Sequence, residues 1–552
     1  MMNKLINLLF ALKMYRLGKG AWRSLMKKTK QPREQQLQLL NNILRRNQET
    51  VFAQQHHFSE ISDHSSFVER VPAQDYESLR PYIEKQEQDR TPELNSVNPI
   101  LYAQTSGTTG KPKLLPILAH TVQNYKESQN MVSYANYHAC PGIFQGKILA
   151  ITSSAVEGYL DTGTPYGSMS GLVYQSMPKL VHSKYVLPVD VFEVEDYRAK
   201  YYLVSAFAMR SHDVSVIATA NPSTIMKILQ VINEYKEQLV ADIRSGNLSN
   251  LFNIDAALLQ RIDSNFRRDE NRANKLQTLI EEDEILSIAQ LWPNLKALSV
   301  WSGGSVGALL PEIRRQLSKG TSIIELGYLS SELRGSINVS PNKGYCIPTI
   351  HENFFEFVAV EDMDKTAHSF LLVDELEMGK QYFVWVTTQE GLYRYFMNDI
   401  VEVNGFVNNT PSIKFIQKGK GVVNLTGEKL YEGQVIEAID RIKHDLELTF
   451  DFFVLLGDEE SQCYKLYLDA ECLDVQQVSA RFERALCELN VEFKNKRDSE
   501  RLGKTQAIFV NKNTYEDFKV FCVNNGQREG QFKYLVLQNQ KEWNFDFSEY
   551  II

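Results

Sequence analysis

The stretch TSGTTGKPK, residues 105–113, sets four small hydroxyl side chains and two glycines beside two lysines, directly after an apolar run. Glycines let consecutive backbone N–H groups turn inward, and hydroxyls with an ammonium complete an anion cradle, so a polyphosphate is the first ligand to consider. A flexible surface loop is the plainer alternative. The spacing fails the Walker pattern, which needs four residues between its glycines; here Gly107 and Gly110 enclose two, and Lys111 precedes Pro112. What survives is a looser nucleotide cradle, with Thr105, Ser106, Thr108 and Thr109 donating to phosphate oxygens and Lys111 or Lys113 supplying charge.

Outward from this loop, ILYAQ (100–104) and LLPIL (114–118) read as strands on either side of it. Strand and helix patterns then alternate: GKILAIT, then DVSVIATA followed by NPSTIMKILQVINEYKEQL with Asn221 or Ser223 as its cap, then LKALSVW followed by LLPEIRRQL. That alternation predicts parallel sheets covered by helices, an α/β fold. From EFVAV at Glu356 the texture changes to SFLLVDE, YFVWVTT, YRYFMNDIVEVNGF and PSIKFIQ, an antiparallel or barrel-like part. Past LTGEKL (425–430) a smaller α+β unit is expected, with VIEAIDRIKHDL and VSARFERALCEL as helices, DFFVLL and YKLYLDA as a hairpin, and QAIFV as a further strand. Upstream, QLQLLNNILRRNQETVFAQQHHF (36–58) reads as one helix. The expected organisation is a basic arm (1–30), a large domain (31–424) and a small mobile C-terminal lid (425–552), hinged near 418–429 in the Gly-rich QKGKGVVNLTGEK.

At 552 residues the chain is too long for one simple core. Its 43% apolar and 23% charged content is that of a soluble globular protein. A formal charge of −8 argues against general nucleic-acid binding, which calls for a basic face. The six cysteines (Cys140, Cys346, Cys463, Cys472, Cys487 and Cys522) are scattered and show no zinc spacing, as reduced thiols of a cytoplasmic protein would be. The arm carries Lys4, Lys13, Arg16, Lys19, Arg23, Lys27, Lys28 and Lys30, with no acid before Glu34. Its apolar core, Leu5 to Leu12, is too short to span a bilayer, but Leu5, Leu8, Leu9 and Leu12 share one helical face. Either the arm makes weak peripheral membrane contact, as basic amphipathic helices do, or it docks on the body of the protein.

Three further stretches bear on the loop. VWSGGSVGALLPEI (300–313) ends a strand with a glycine pair, where backbone can approach a flat ring closely. ELGYLSSELRG (325–335) offers one aromatic, Tyr328, two serines and, after the Glu325 that ends the strand, the carboxylate Glu332; Mg²⁺ usually takes only one or two carboxylates beside substrate phosphates. GLYRYFMNDIVEV (391–403) places Asp399 in an apolar strand, and a buried aspartate needs partners such as ribose hydroxyls.

With VPAQDYESLRPYI, LWPNLKALSVWSGGS, FFEFV, TTQEGLYRYFMNDIVEVNGF and NLTGEKL, in that order, the chain resembles the auxin-responsive promoter family of acyl acid amido synthetases, members of the acyl-adenylate-forming, luciferase-like superfamily. The resemblance covers nearly the whole sequence. It implies that ATP and Mg²⁺ activate a small carboxylic acid as an acyl-adenylate and that the acyl group passes to an amine, usually an amino acid. Carried onto matching positions, Ser106, Gly107, Thr108, Thr109 and Lys113 would cradle phosphates, with Gly303, Gly304 and Ser305 as a backbone wall. Tyr328 would contact adenine, Ser331 would lie beside it, Glu332 would hold Mg²⁺, and Asp399 would bind the ribose. Lys429 matches a family lysine, and Lys533 in GQFKYL resembles the lysine that swings in on the small domain. Carboxylate attack on the α-phosphate brings two anions together, so lysines and a divalent cation suit the chemistry.

The sequence departs from the family pattern in two places. Relatives commonly carry Arg-x-Gly-Asp where this chain has Phe396, Met397, Asn398 and Asp399, and an arginine where Lys418 stands. Three rivals remain: a thiol acceptor such as coenzyme A, a nucleotide-binding relative without turnover, and a serine hydrolase built on GGSVG (303–307) with His351, His368 or His444 as base. The acyl pocket is expected on the helix around residues 121–137 and the segment 153–171, with Tyr125, Met131, Tyr134 and Tyr159 as candidate liners.

Overall fold

The computed structural model describes residues 2–105, 113–303, 307, 309–363, 365, 368–419, 421–423, 425, 428, 430–470, 474–498, 502–527, 529 and 532–552. Four strands, Lys147–Ala150, Val214–Ala218, Ala297–Val300 and Ser322–Glu325, pair in that order and all in parallel. This is the sheet that the strand–helix alternation predicts. Their runs are apolar on both faces because helices cover them; Tyr197–Arg210 and Ser223–Glu234 bury Phe207, Met209, Ile225 and Ile232 against the sheet. The latter helix has Pro222 at its N-cap, not Asn221 or Ser223 as expected; Asn221 Oδ1 instead accepts from the Ser223 N–H at 2.9 Å in an Asx turn just ahead of the helix. It breaks at Tyr235, and Lys236–Ser245 follows as a separate helix.

The hairpin Leu101–Thr105 and Lys113–Ile117 is antiparallel, and its last pair is Thr105 with Lys113. Residues 106–112 lie outside the described residues, so the quoted loop is located by its two ends. The long upstream helix is interrupted: Pro32–Arg46 stops at Asn47, and Thr50 caps Val51–Gln55 by accepting from Ala53 N–H. A hydroxyl at a cap competes with helix continuation, which apolar periodicity alone does not register.

The strand-rich part is a four-stranded antiparallel meander of Phe354–Ala359, Gln381–Thr387, Tyr395–Val407 and Thr410–Lys418. The ribbon Ser336–Ser340 with Tyr345–Pro348 joins it through the Cys346 N–H donating to Ser412 Oγ at 2.9 Å. SFLLVDE is not a full strand: only Leu371 bridges to Phe357, and Val373–Glu375 forms a 3₁₀ turn held by Glu375 accepting from the Leu372 N–H. A mixed sheet of Gln506–Phe509, Cys463–Leu468, Phe453–Asp458 and Leu537–Asn539 forms the C-terminal unit. The helices Glu432–Asp445 and Val475–Leu489 pack against it around Val435, Ile439, Phe482 and Leu466.

The arm forms helices Met2–Leu17 and Arg23–Lys28 and docks on the body. Met14 and Leu25 are buried, Trp22 packs on Tyr134 at 4.9 Å, and Lys184 Nζ donates to Asn7 Oδ1 at 2.7 Å. Two proposed pocket liners therefore have other employment: Tyr134 supports the arm, and Met131 joins Leu25, Val132 and Ile337 in a small core. Tyr159 is 69% exposed. Among the described residues no helix is long and apolar enough to cross a membrane.

Candidate active site

The site lies where the parallel sheet, the meander and the C-terminal unit meet. Strand Ser322–Glu325 leads into a turn in which Gly327 takes φ +92°, a conformation costly for residues with a side chain. Glu325, its carboxyl pushed up by burial, fastens this turn by accepting from the Gly327 N–H at 2.9 Å and the Ser302 N–H at 2.7 Å. Tyr328 is thereby buried and aimed at the meander. Its hydroxyl donates to Asp399 Oδ2 at 2.5 Å, and its ring lies parallel to Phe415, with centres 6.2 Å apart. Burial first, then the charge of Asp399 and its hydrogen bond, then the charge of Glu332, hold the Tyr328 phenol protonated.

Asp399 is 1% exposed and stands opposite Lys418 across the last strand pair. Asn398, immediately before it, has φ +52°. That explains one departure from the family pattern: the position demands a left-handed backbone, which glycine provides freely and asparagine tolerates better than most residues. The Asn398 carbonyl accepts from the Gly419 N–H at 2.9 Å, so the strand carrying Asp399 is tied to the first residue past Lys418.

Glu332 is half-buried in the turn after Tyr328, with Ser331 half-buried beside it. Its charge also reaches Tyr395, whose phenol is raised chiefly by burial. Lys113, at the exit of the quoted loop, donates from Nζ to the Tyr395 hydroxyl at 3.4 Å and lies 5.4 Å from the centre of the Tyr76 ring. Tyr395 thus links the loop's lysine to the Glu332 neighbourhood. From the C-terminal unit, Lys533 sets Nζ 3.8 Å from the centre of the Trp301 ring and 5.7 Å from that of Phe415. Lys533, Tyr328, Glu332, Asp399 and Lys113 are therefore drawn together around Phe415 and Tyr395.

At Gly303 a Cβ would sit 2.5 Å from the Phe415 carbonyl oxygen, so close backbone packing requires glycine there. Ser106, Gly107, Thr108, Thr109, Gly304, Ser305 and Lys429 lie outside the described residues, and Lys418 is described by its backbone alone. Sequence reading missed Tyr395, Trp301 and Phe415. Each sat within a quoted stretch, but as an aromatic in an apolar strand it read as ordinary core.

The small unit is latched to the large one. Lys519 is buried and donates to the Tyr197 hydroxyl at 2.7 Å, Lys227 pairs with Glu516 at 3.0 Å, and Asn221 Nδ2 donates to the Phe532 carbonyl at 2.6 Å. Glu432, at the start of the first helix after the ribbon, accepts from the Val536 N–H at 2.7 Å, and burial pushes its carboxyl up to about 7. For the hydrolase rival, His351 is buried with Ser128 and Glu352, and His444 is 91% exposed. Neither belongs to the cluster around Tyr328.

A large domain of parallel sheet and meander, capped by a small domain that delivers a lysine to their junction, defines an acyl-adenylate-forming architecture. The GH3 family N-terminal, central and C-terminal domain models match residues 21–323, 346–418 and 433–542. The chain belongs to the GH3 family. It is 26% identical over 537 residues to indole-3-acetic acid-amido synthetase GH3.4 of Arabidopsis thaliana, covering 92% of this chain and 89% of that protein. The solved structure of GH3.15 acyl acid amido synthetase superposes with a TM-score of 0.84 at 21% identity, covering 96% of each chain. A 2-hydroxyisobutyryl-CoA ligase holding its acyl-adenylate superposes at 0.53 and 11% identity, over 91% of this chain and 88% of that one. These last two likenesses speak to fold.

Proposed function

We propose that the protein is an ATP-dependent acyl acid amido synthetase. A carboxylate oxygen attacks the α-phosphorus of ATP, a C–O–P linkage forms, the bond to the β-phosphate bridge breaks, and pyrophosphate leaves. An amine nitrogen, in the first instance that of an amino acid, then attacks the acyl carbon; AMP departs and the amine proton goes to solvent. The observation carrying this reading is the arrival of Lys533 from the small unit beside Tyr328, Glu332 and Asp399 of the large one. Family membership and the amido synthetase activity of the relative GH3.4 support it.

Asp399, buried and already accepting from Tyr328, suits the ribose hydroxyls, and Lys113 and Lys533 offset the charge of phosphates and departing pyrophosphate. Glu332 and Asp399 are two carboxylates whose charges act on the Tyr328 and Tyr395 phenols, and with Asp399 engaged by Tyr328, Glu332 is the carboxylate that fits Mg²⁺ completed by phosphate oxygens. When bound there, the ion would supply further neutralisation of the pyrophosphate.

ATP/pyrophosphate exchange over a panel of carboxylic acids tests the first half-reaction, and product mass with candidate amines and thiols tests the second. A thioester product would move the assignment to a coenzyme A ligase. ATP binding without acid-dependent pyrophosphate release would leave a non-catalytic relative.

A second observation concerns the arm. The outer face of Met2–Leu17 exposes Leu8 (66%), Leu9, Leu12 and Tyr15, flanked by Lys13, Arg16 and Lys19, on a chain whose formal charge is −8. We infer that this face rests on an anionic lipid surface, where apolar side chains enter the headgroup boundary and lysines meet phosphates. Co-sedimentation with phosphatidylserine vesicles, reduced with neutral vesicles and lost in Leu8→Ser, Leu12→Ser, is the expected result. No sedimentation of the intact chain, or self-association through this face instead, overturns it.

A further inference from the structure

Behind the Tyr328–Glu332 turn, Arg334 has an environment that the described residues leave incomplete. It is 5% exposed. Both of its Nη atoms share one neutral acceptor, Gln129 Oε1, at 3.2 Å each, and its Nε has no hydrogen-bond partner among the described residues. The guanidinium lies over Tyr125, with Cζ 4.8 Å from the ring centre. By contrast the equally buried Arg394 pairs with Glu356 at 3.0 Å and donates to the Val68 and Val71 carbonyls. A guanidinium presents five donors and stays charged, so burial with a single neutral acceptor is costly unless an anion completes the site.

The nearby acids are committed elsewhere. Glu352 accepts from Ser128, Glu390 accepts from Thr121, and Glu325 accepts from Ser302 and Gly327. Nor is Arg334 free to turn away. Its carbonyl accepts from Thr349 Oγ1 at 2.6 Å and from Asn353 Nδ2 at 3.3 Å, and the Tyr328 ring packs directly on Gly335. The side chain is thus held between the turn bearing Glu332 and helix Ala119–Ala139, on which Tyr125 and Gln129 lie one turn apart.

We propose that Arg334 anchors a carboxylate that does not itself react, carried by one of the two organic substrates; this rests on the amido synthetase reading. The reacting carboxylate loses its charge on becoming an acyl-adenylate, and would leave the guanidinium uncompensated halfway through turnover. A spectator carboxylate stays charged through both half-reactions and fits the guanidinium fork bidentately. Two sources share this chemistry: a second carboxylate on the acyl acid, or the α-carboxylate of the acceptor amino acid. Arg334 is then a determinant of substrate class, with Gln129 and Tyr125 orienting it.

The test compares ratios. Pyrophosphate exchange is measured for benzoate against phthalate, isophthalate and terephthalate, and for hexanoate against adipate. Acyl transfer is measured for amino acids against their carboxamides. In one arm the wild type is expected to favour the carboxylate-bearing member by about 10- to 100-fold, as a hydrogen-bonded charge pair allows. That ratio falls towards one in Arg334→Gln. Gln129→Glu, which supplies an internal carboxylate, lowers the ratio too and raises the melting temperature by a few degrees. A wild-type ratio near one in both arms, a ratio unchanged in Arg334→Gln, or a lowered melting temperature in Gln129→Glu overturns the assignment. Should no acid support exchange, the amido synthetase reading fails by itself. The anchor is then judged by melting temperature with phthalate, adipate or glycine: stabilisation of the wild type beyond that of Arg334→Gln supports it, and equal responses overturn it.

Discussion

Lys533 Nζ stands 3.8 Å from the centre of the Trp301 ring, so a cation from the segment leading into the last strand of the chain reaches the C-terminal edge of the parallel sheet. Along the chain the two residues are separated by the ribbon and the whole meander, and only the latched small domain brings them together. Lys533→Ala is expected to lower acid-dependent pyrophosphate exchange by about 100- to 1,000-fold, the scale for removing one preorganised charge donor. Trp301→Leu should cost about threefold, since an exposed cation–π contact contributes about 0.5–1 kcal/mol. Undiminished exchange in Lys533→Ala removes this lysine from the mechanism.

Tyr328→Phe keeps the ring against Phe415 and Gly335 but deletes the donor to Asp399. A hydrogen bond to a charged group contributes about 1.5–3 kcal/mol, so ATP affinity is expected to fall about tenfold or more. Titration calorimetry with ATP checks this; unchanged affinity would show that Asp399 does not need its phenol.

At Asn398, φ +52° sets a conformational demand before any side-chain contact is considered. Asn398→Gly should be close to neutral, whereas Asn398→Val should destabilise by about 1–2 kcal/mol because Cβ meets the following carbonyl. Denaturant titration of both variants decides it, and equal stabilities would contradict the backbone account.

Gly419→Pro removes the N–H that binds the Asn398 carbonyl, and a Cβ there would collide with Asn398 Oδ1 and the Phe383 ring. If the 418–429 segment is the hinge, at least one half-reaction slows, by about tenfold or more. Separate assays of exchange and transfer read the effect. Normal rates in both would move the hinge elsewhere.

Burial holds the Glu432 carboxyl at about 7 against an ordinary value of 4.5. Its folded pKa is the higher one, so its contribution is fully present below about pH 4.5 and is lost as pH rises through 7. Glu432→Gln keeps an acceptor for the Val536 N–H but removes the titration. The variant should match the wild type near pH 4 and exceed it at pH 8 by up to about 3 kcal/mol. Parallel stability profiles across that range would rule out a buried, titrating Glu432.

Much of this protein was legible from local pattern. Parallel strands such as Val214–Ala218 and Ala297–Val300 are apolar on both faces, and the helix at Ser223 shows its apolar periodicity although its cap is Pro222 rather than Asn221 or Ser223. Tyr328, Glu332 and Asp399 were nameable because a lone acid or aromatic interrupts a turn or an apolar strand. Where the local signal was ambiguous, reading faltered. SFLLVDE has strand composition but only one bridging residue, because Glu375 spends its carboxyl on the Leu372 N–H. Met131, Tyr134 and Tyr159 looked like pocket liners, yet the arm, a small core and solvent claim them.

The order of residues alone pointed to the sheet types and the family, and it supplied the candidate side chains for phosphate chemistry. Tertiary structure alone decided that Tyr395 meets Lys113 and feels the charge of Glu332, that Gly303 packs on the Phe415 carbonyl, and that Arg334 is buried with no acid paired to it among the described residues. The physical reason is range. Periodicity, capping and backbone handedness act within a few residues and are written locally, whereas burial and charge pairing depend on segments hundreds of residues apart, whose meeting is set by the packing of the whole chain.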